Sequence, residues 1–312
     1  METTSQIERL PYEELEQIAS SDVTALLGGE TGSGKGRLAR QIHGMSRRAG
    51  GPFVAVDCAA LPASLFESQL FGSKKGAFTG SVTDRVGLIR SADGGTLFLD
   101  EVGELALEQQ AKLLTFIQDR TVLPVGDVER VHCDVRLVAA THRDLFAMVE
   151  RGDFREDLFY RLSVIEVVVP PLRERMDELR PIVDELIQQK ADLLHVPARH
   201  PSEAYFECLH KYSWPGNIRE LGNVIERSLV LSRGELLEPR TLPGRVLAAG
   251  QDSRVIYTAS GSSRITEHSV QTALDQTHGN KSAAARRLGI SRRHLYRVMD
   301  RFGRGSEADT RS

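Results

Sequence analysis

Short apolar runs alternate with amphipathic stretches through the first half of the chain. The apolar runs are rich in Val, Leu and Ala and are typical of buried strands. The stretches between them repeat apolar residues at helical spacing. The predicted strands are 23–28, 53–56, 96–99, 135–139 and 164–169, and the predicted helices are 37–47, 64–71, 107–118 and 145–150. Strands that alternate with helices in this way predict an α/β fold with a parallel sheet covered on both faces.

The pattern changes after the proline pair at 170–171. Three later segments show helical periodicity with no strands between them: 176–194, 202–212 and 216–231. Residues 235–264 then have the Pro, Gly and Ser content of a linker, with room for some short ordered pieces. The resulting division is an α/β core at 1–170, a helical lid at 171–245, a linker at 246–265 and a small all-α domain at 266–312.

Composition excludes several classes of protein. The chain has 312 residues, of which 40% are hydrophobic and 27% charged, as in ordinary globular proteins. It contains no apolar run of about 18 residues, and its polar start does not resemble a secretory signal. Its three cysteines show no CxxC spacing, which disfavours a zinc site. A cytoplasmic protein is therefore expected.

The net charge of −3 hides a basic C-terminal end. Eight Lys or Arg residues and one acid lie between Lys281 and Arg304. A local cationic segment on a near-neutral chain is typical of a small DNA-binding module.

A glycine-rich turn follows the first predicted strand and fits the pattern G-x-x-x-x-G-K. Backbone amides in such a turn cradle phosphates at a helix N-terminus, and the lysine reaches the outer phosphates. The predicted nucleotide-binding residues are Gly29, Glu30, Thr31, Gly32, Ser33, Gly34, Lys35 and Gly36. Gly36 departs from the general pattern, because Ser or Thr usually stands there and reaches magnesium.

Two carboxylates end a buried strand in the string GGTLFLDE, residues 94–101. Asp100 is the candidate ligand for Mg²⁺, and Glu101 is the candidate residue that orients and deprotonates an attacking water. Two acids at the end of an apolar strand are costly without a function, because uncompensated buried charge is unfavourable. With the glycine-rich turn, they predict ATP hydrolysis.

Seven strings occur in a recognisable order: GETGSGKG, FGSKKGAFTG, ADGGTLFLDE, VRLVAATHRDL, FREDLFYRL, VPPLRER and WPGNIREL. Together they resemble the central domain of sigma-54-dependent activators, the NtrC-like branch of AAA+ ATPases. The match covers roughly residues 12–245, and residues 266–303 resemble the Fis-type DNA-binding domain of that family. The resemblance implies an AAA+ P-loop sheet with a helical lid and a helix-turn-helix domain.

The resemblance also assigns roles to residues outside the phosphate-binding turn. Gly76, Ala77, Phe78, Thr79 and Gly80 match the loop that contacts sigma-54. Arg155 and Arg161 match arginine fingers that act on the nucleotide of a neighbouring subunit, although ion pairing with Glu156 or Asp157 is an alternative for each. Thr141 and His142 match the first sensor, and Arg219 matches the second sensor, which contacts phosphate.

Residues 280–303 predict a helix, a tight turn and a second helix. Leu288, Ile290, Leu295 and Val298 would form the small core, and Gly289 suits the turn. Ser291 is a good N-cap for the second helix. The candidate DNA-binding residues are Lys281, Ser291, Arg292, Arg293, His294 and Arg297. Such modules usually bind as dimers to paired half-sites.

Several positions depart from the family pattern. Asp57 stands where an Asn usually restrains the catalytic glutamate, so an acid there is expected to alter this switch. Gly36, Lys74, Ser81 and Arg90 also replace the usual residues. The segment that contacts adenine in the family is not found, and no sensory domain precedes the ATPase, so control by a separate protein, by expression level or by oligomerisation is expected.

The leading hypothesis is an ATP-dependent transcription activator. Dimers would bind enhancer-like DNA, assemble into a hexameric ring or a mixed ring with a paralogue, and remodel sigma-54 RNA polymerase by hydrolysing ATP with Mg²⁺. A DNA-binding regulator with a degenerate or partner-dependent ATPase is the alternative. An ATPase for other substrates, such as a chelatase or an unfoldase, is disfavoured by the GAFTG string and the terminal helix-turn-helix.

Overall fold

The computed structural model describes residues 12–77, 83–249, 255–257 and 264–266, together with Thr277, Lys281, Ala284 and Leu295. The described chain divides into two compact units. Unit 1 contains residues up to Arg175 and the segment Trp214–Glu220, and unit 2 contains Met176–Ser213 and the chain from Leu221 onward. None of the helices among these residues is long and apolar enough to cross a membrane.

Unit 1 is built from strands and helices that alternate along the chain. Its strands are β1 (Ala25–Gly28), β2 (Phe53–Asp57), β3 (Gly72–Ser73), β4 (Arg85–Val86), β5 (Thr96–Asp100), β6 (Thr121–Val122), β7 (Val131–His132), β8 (Arg136–Thr141) and β9 (Ile165–Val168). Its helices are α1 (Tyr12–Ser20), α2 (Lys35–Gly44), α3 (Ala63–Leu70), α4 (Leu88–Ser91), α5 (Leu107–Asp119), α6 (Leu145–Arg151) and α7 (Glu156–Leu162). The five predicted strands correspond to β1, β2, β5, β8 and β9.

Five of these strands form one sheet in the order β2-β5-β8-β1-β9, and every neighbouring pair is parallel. The apolar runs are buried because a parallel sheet is covered on both faces. One core cluster includes Leu97, Leu99 and Leu137, and a second includes Leu27, Ile42 and Val138. The predicted α/β fold with a parallel sheet is confirmed.

Two short antiparallel hairpins interrupt the alternation, and the sequence analysis did not predict either. The first pairs β3 with β4, and the second pairs β6 with β7. Helices α1 and α7 were also missed. Helix α1 is tied to the sheet by Arg136 on β8, whose fully buried guanidinium donates to the carbonyl oxygens of Ala19, at 2.7 Å, and Ile18, at 2.6 Å.

Unit 2 holds most of the helices that follow β9. They are α8 (Leu179–Leu194), α9 (Glu203–Lys211), α10 (Asn217–Leu231), whose first turn belongs to unit 1, and α11 (Gly244–Ala249). Its strands are β10 (His200–Pro201), β11 (Leu236–Leu237), β12 (Val255–Tyr257) and β13 (Arg264–Thr266). The stretch interpreted as linker therefore contains β11, α11 and the antiparallel pair of β12 and β13.

Candidate functional site

The glycine-rich turn lies between β1 and α2, as the sequence analysis predicted. Gly29, Gly32 and Gly34 have φ values of 145°, 77° and 104°, which side chains rarely adopt. The N-terminus of α2 receives no hydrogen bond from a capping side chain. The amides of its first turn are therefore suited to an anion. The Ser33 hydroxyl is buried and has no hydrogen-bond partner within the described part of the chain.

Lys35 begins α2 and is nearly buried, with 5% of its surface exposed. Its ammonium donates to the carbonyl oxygens of Gly29, at 2.9 Å, and Glu30, at 3.3 Å. It also lies 3.6 Å from a carboxylate oxygen of Glu101. The lysine of the turn and the second acid of the GGTLFLDE string are thus neighbours in space.

Asp100 ends β5, and Glu101 follows it with a φ of 55°. A left-handed conformation is unfavourable for a residue other than glycine and is frequent at functional sites. Burial raises the pKa of Asp100, and the charge of Glu101 raises it further. Ionising both of two neighbouring carboxyl groups is unfavourable unless a nearby cation compensates their negative charges.

His142 follows β8 and contacts Glu101. Its ring Nδ1 lies 2.7 Å from Glu101 Oε2, and its backbone amide donates to the same oxygen at 3.1 Å. Burial alone would raise the pKa of Glu101. The hydrogen bonds from His142 and the charge of Lys35 outweigh that effect and hold this pKa below its usual range. Glu101 is therefore held in its ionised form, which a general base requires.

Asp57 ends β2 beside Asp100 on β5 in the sheet register. Its exposed side chain accepts hydrogen bonds from the backbone amides of Ala59, at 3.0 Å, and Ala60, at 3.3 Å. The carboxylate therefore closes its own turn, while His142 contacts Glu101. That an acid at position 57 alters the restraint of Glu101 stays a prediction.

Arg155 and Arg161 lie at the two ends of α7 and are both exposed. Arg155 forms hydrogen bonds with the carboxylate of Asp157 at 3.0 and 2.7 Å. The ion pair that was considered as an alternative for Arg155 is thus present. An exposed pair of this kind is weak and readily exchanged, so it leaves the guanidinium available to another partner.

The base of the GAFTG loop is formed by β3 and β4. Gly76 has a φ of 83°, and Ala77 follows it, whereas Phe78, Thr79 and Gly80 lie outside the described residues. The Lys74 ammonium lies 3.7 Å from Asp84 and 3.4 Å from Asp127, which belongs to the loop between β6 and β7. The Lys74 ammonium therefore links the base of the GAFTG loop to the loop between β6 and β7.

Most of the predicted DNA-binding residues lie outside the described part of the chain: Ser291, Arg292, Arg293, His294 and Arg297. Lys281 and Ala284 are helical, and Leu295 is helical and fully buried. Arg219 is exposed, and its Cβ and backbone nitrogen lie close to Gly32, also in unit 1. The predicted lysine, carboxylates and sensor histidine therefore meet, while the remaining candidates are placed separately or lie outside the description.

Comparison with protein families gives three matches in chain order. Residues 1–168 match the sigma-54 interaction domain, and residues 173–259 match the AAA+ ATPase lid domain. Residues 269–302 match the bacterial regulatory protein, Fis family. This chain belongs to the sigma-54-dependent transcriptional activator family. The resemblance inferred from the seven sequence strings is confirmed, as is an AAA+ fold with a lid and a Fis-type helix-turn-helix.

Curated relatives support the same assignment. Regulatory protein AtoC of Escherichia coli is 42% identical over 300 residues, and the alginate biosynthesis transcriptional regulatory protein AlgB of Pseudomonas aeruginosa is 45% identical over 287 residues. Each match covers 92% of this chain and 64% of the relative. The chain thus spans just under two thirds of the length of these relatives.

A solved structure extends the likeness to the fold. NtrX from Brucella abortus, in complex with ATP, has a TM-score of 0.68 and 32% sequence identity. The match covers 94% of this chain and 66% of that one. NtrX in complex with ADP gives a TM-score of 0.70. The fold found here is therefore one that binds adenine nucleotides in NtrX.

Proposed function

We propose that this family member hydrolyses ATP in a ring and uses that work to remodel sigma-54 RNA polymerase at promoters that it reaches by binding DNA. The observation that carries the proposal is the meeting of Lys35, Asp100, Glu101 and His142 beside the glycine-rich turn. Lys35 begins α2, Asp100 and Glu101 lie at the end of β5, and His142 follows β8. The carboxyl edge of a parallel sheet is the usual place for such a site.

The residues at this edge fit a nucleoside triphosphate. The uncapped N-terminus of α2 and the orphaned Ser33 hydroxyl offer donors to phosphate oxygens. Lys35 adds a positive charge within a nearly buried environment. Among the described residues, no group of three or more His, Cys, Asp or Glu could hold a metal alone. Asp100 would therefore hold Mg²⁺ together with phosphate oxygens, as is common for this ion.

The chemical roles follow from the geometry. The ionised Glu101 would orient and deprotonate the attacking water, with His142 fixing the carboxylate. Lys35 would neutralise charge on the outer phosphates, and Mg²⁺ supplies further neutralisation when bound. Arg155 and Arg161 would act on the nucleotide of a neighbouring copy, because both lie exposed on α7. Arg219, whose Cβ lies close to Gly32, would contact phosphate within its own chain.

The remaining roles rest on the family. The loop of Gly76–Gly80 would contact sigma-54, and Lys281, Ser291, Arg292, Arg293, His294 and Arg297 would bind DNA. The division into 1–170, 171–245, 246–265 and 266–312 is kept as a proposal for the functional domains. The partners would be sigma-54 RNA polymerase, DNA and further copies of this chain or a paralogue.

The first experiment measures Mg²⁺-dependent ATP turnover across a range of protein concentrations, with Glu101→Ala as the control. Turnover per chain should rise steeply with concentration, because the arginines come from a neighbour. It should disappear in the variant. A folded wild-type chain that binds DNA but shows no turnover at any concentration would favour the second candidate, a DNA-binding regulator with a degenerate or partner-dependent ATPase. Asp57, and the adenine-contacting segment of the family that is not found in the sequence, motivate that candidate.

A further inference from the structure

The glycine-rich turn contains a carboxylate, Glu30, at a place where a polyanion is expected. Its negative charge would repel phosphate if it were left uncompensated. Arg173 donates two hydrogen bonds to it, at 2.9 and 2.7 Å, in the forked arrangement that guanidinium makes with carboxylate. Both side chains are 43% exposed, so the pair lies at the surface of the protein.

Asn217 contributes a third hydrogen bond to Glu30. Its side-chain amide donates to Glu30 at 3.0 Å and to the Thr31 carbonyl at 3.2 Å, and its oxygen accepts from the Leu172 amide at 2.8 Å. Asn217 is fully buried and has a φ of 51°. The hydrogen bonds from Arg173 and then Asn217 lower the pKa of Glu30 to about 2.

Three successive carbonyl groups of the turn receive hydrogen bonds from residues outside the turn. Asn217 donates to the Thr31 carbonyl, and the Ile218 amide donates to the Gly32 carbonyl at 3.0 Å. The Arg175 guanidinium donates to the Ser33 carbonyl. A carbonyl that faces phosphate repels it, whereas an amide attracts it. Because each of these three oxygens accepts a hydrogen bond, its negative partial charge is compensated beside the expected phosphates.

We propose that Arg173, Arg175 and Asn217 form an outer brace that sets the phosphate-binding turn for a nucleoside triphosphate. The brace neutralises Glu30 and, with the Ile218 amide, donates hydrogen bonds to three carbonyls of the turn, those of Thr31, Gly32 and Ser33. Its members are positioning residues, since they act through the turn. All of them lie in unit 1, because the segment Trp214–Glu220 belongs there. The inference rests on the proposed nucleotide site and adds residues that the sequence motifs did not assign.

The test is a binding titration of the full chain with a fluorescent ATP analogue and Mg²⁺. Arg173→Gln should weaken affinity by about tenfold, because a carboxylate beside the phosphates loses its charged partner. Arg180→Gln is the matched control. Arg180 pairs with a carboxylate of Glu203 at 3.2 Å and is 49% exposed, but it lies in unit 2. This control should bind as the wild type does.

The double variant Glu30→Gln/Arg173→Gln separates charge compensation from a general loss of structure. Removing the carboxylate should restore most of the affinity that Arg173→Gln loses, an outcome that a damaged fold would not produce. Thermal unfolding of each variant without nucleotide checks that the fold is retained. Asn217→Asp keeps the shape but replaces a donor with a second negative charge, so its affinity should fall further.

Two results would overturn the brace. Wild-type affinity in both Arg173→Gln and Asn217→Asp would show that the turn does not depend on it. Loss of affinity in Arg173→Gln without recovery in the double variant would show that charge compensation at Glu30 is not its role. A wild-type chain that binds no analogue would contradict the proposed function as well, so the two failures are distinguished by the wild-type titration.

Discussion

Glu101 and the two arginines at the ends of α7 would take part in one reaction, yet they differ in burial and in their contacts. Glu101 is 17% exposed and contacts Lys35 and His142 within a single chain. Arg155 and Arg161 are exposed, and Arg155 forms an ion pair with its near neighbour Asp157. Under the proposed function, Glu101 would be positioned by residues of its own chain, whereas Arg155 and Arg161 would act on the nucleotide of another copy.

The largest effect should come from mixing two inactive variants. Arg161→Ala should lower turnover by about a thousandfold or more, as loss of an arginine finger does. Lys35→Ala should be inactive because its own nucleotide site fails. Mixed rings should regain activity where a Lys35→Ala copy lends its intact Arg161 to an Arg161→Ala copy. Phosphate release measured against mixing ratio gives the answer, and mixtures as inactive as their parts would place Arg161 in its own chain's site.

A smaller effect is expected from the contact that fixes Glu101. His142→Ala removes the ring nitrogen at 2.7 Å, although the backbone amide remains. Turnover should fall by about tenfold while nucleotide affinity changes little, because the base is less well oriented. His142→Asn keeps a polar side chain and should retain more activity than His142→Ala. Equal turnover rates in wild type and His142→Ala would show that Lys35 and the backbone amide of residue 142 are enough to orient Glu101.

The ion pair between Arg155 and Asp157 leads to a prediction with a smaller expected effect. Asp157→Asn removes the carboxylate that holds the guanidinium, which should then be freer to reach a neighbouring copy. Turnover at limiting protein concentration should rise by about twofold, since an exposed ion pair is weak. Glu156→Gln, beside it in the first turn of α7, is the matched control. A fall in turnover would mean that Asp157 positions Arg155 for its task.

The smallest effect concerns stability and pH. The pKa of Glu30 is about 2 in the folded chain, against an ordinary value of 4.5. A pKa that is lower in the folded than in the unfolded chain stabilises the folded state at pH values above the ordinary pKa. This contribution is lost as pH falls from about 4.5 towards 2. Since the pair is exposed, Glu30→Gln should lower the free energy of unfolding at pH 7 by less than about 1 kcal/mol.

Denaturant unfolding at a series of pH values checks this prediction. The difference between wild type and Glu30→Gln should shrink as the solution is acidified. When Arg173→Gln is already present, Glu30→Gln should change the free energy of unfolding less, and that change should depend less on pH. The reason is that Arg173 is the main cause of the lowered pKa of Glu30. A difference that stays constant with pH would show that the pair adds no ionisation-linked stability.

Local sequence patterns predicted the strands of the parallel sheet and three residues of the candidate site. The strands were visible as apolar runs, and Lys35, Asp100 and Glu101 belong to contiguous strings next to them. The contact between Glu101 and His142 depends on β5 and β8 being neighbours, and the family pattern directed attention to Asp57 instead. Asn217 and Glu30 are 187 positions apart, so no local pattern reveals the brace.

The elements missed from sequence were short, and one of them, α1, is held by a distant partner. Helix α1 has only nine residues, and its end is held by Arg136 across 117 positions of sequence. The hairpins β3–β4 and β6–β7 have two residues per strand, which is too short for an alternating pattern to be recognised. Tertiary contacts decide such elements, whereas sequence periodicity decides long ones.

The buried guanidinium of Arg136 also limits how the chain can be trimmed. Its charge lies in the interior, and the last carbonyls of α1 accept two of its hydrogen bonds. A protein engineer who starts the chain at Ser21 would keep every motif of the nucleotide site but strip these acceptors from an interior cation. The safe cloning boundary therefore lies ahead of Tyr12, although no sequence motif marks it.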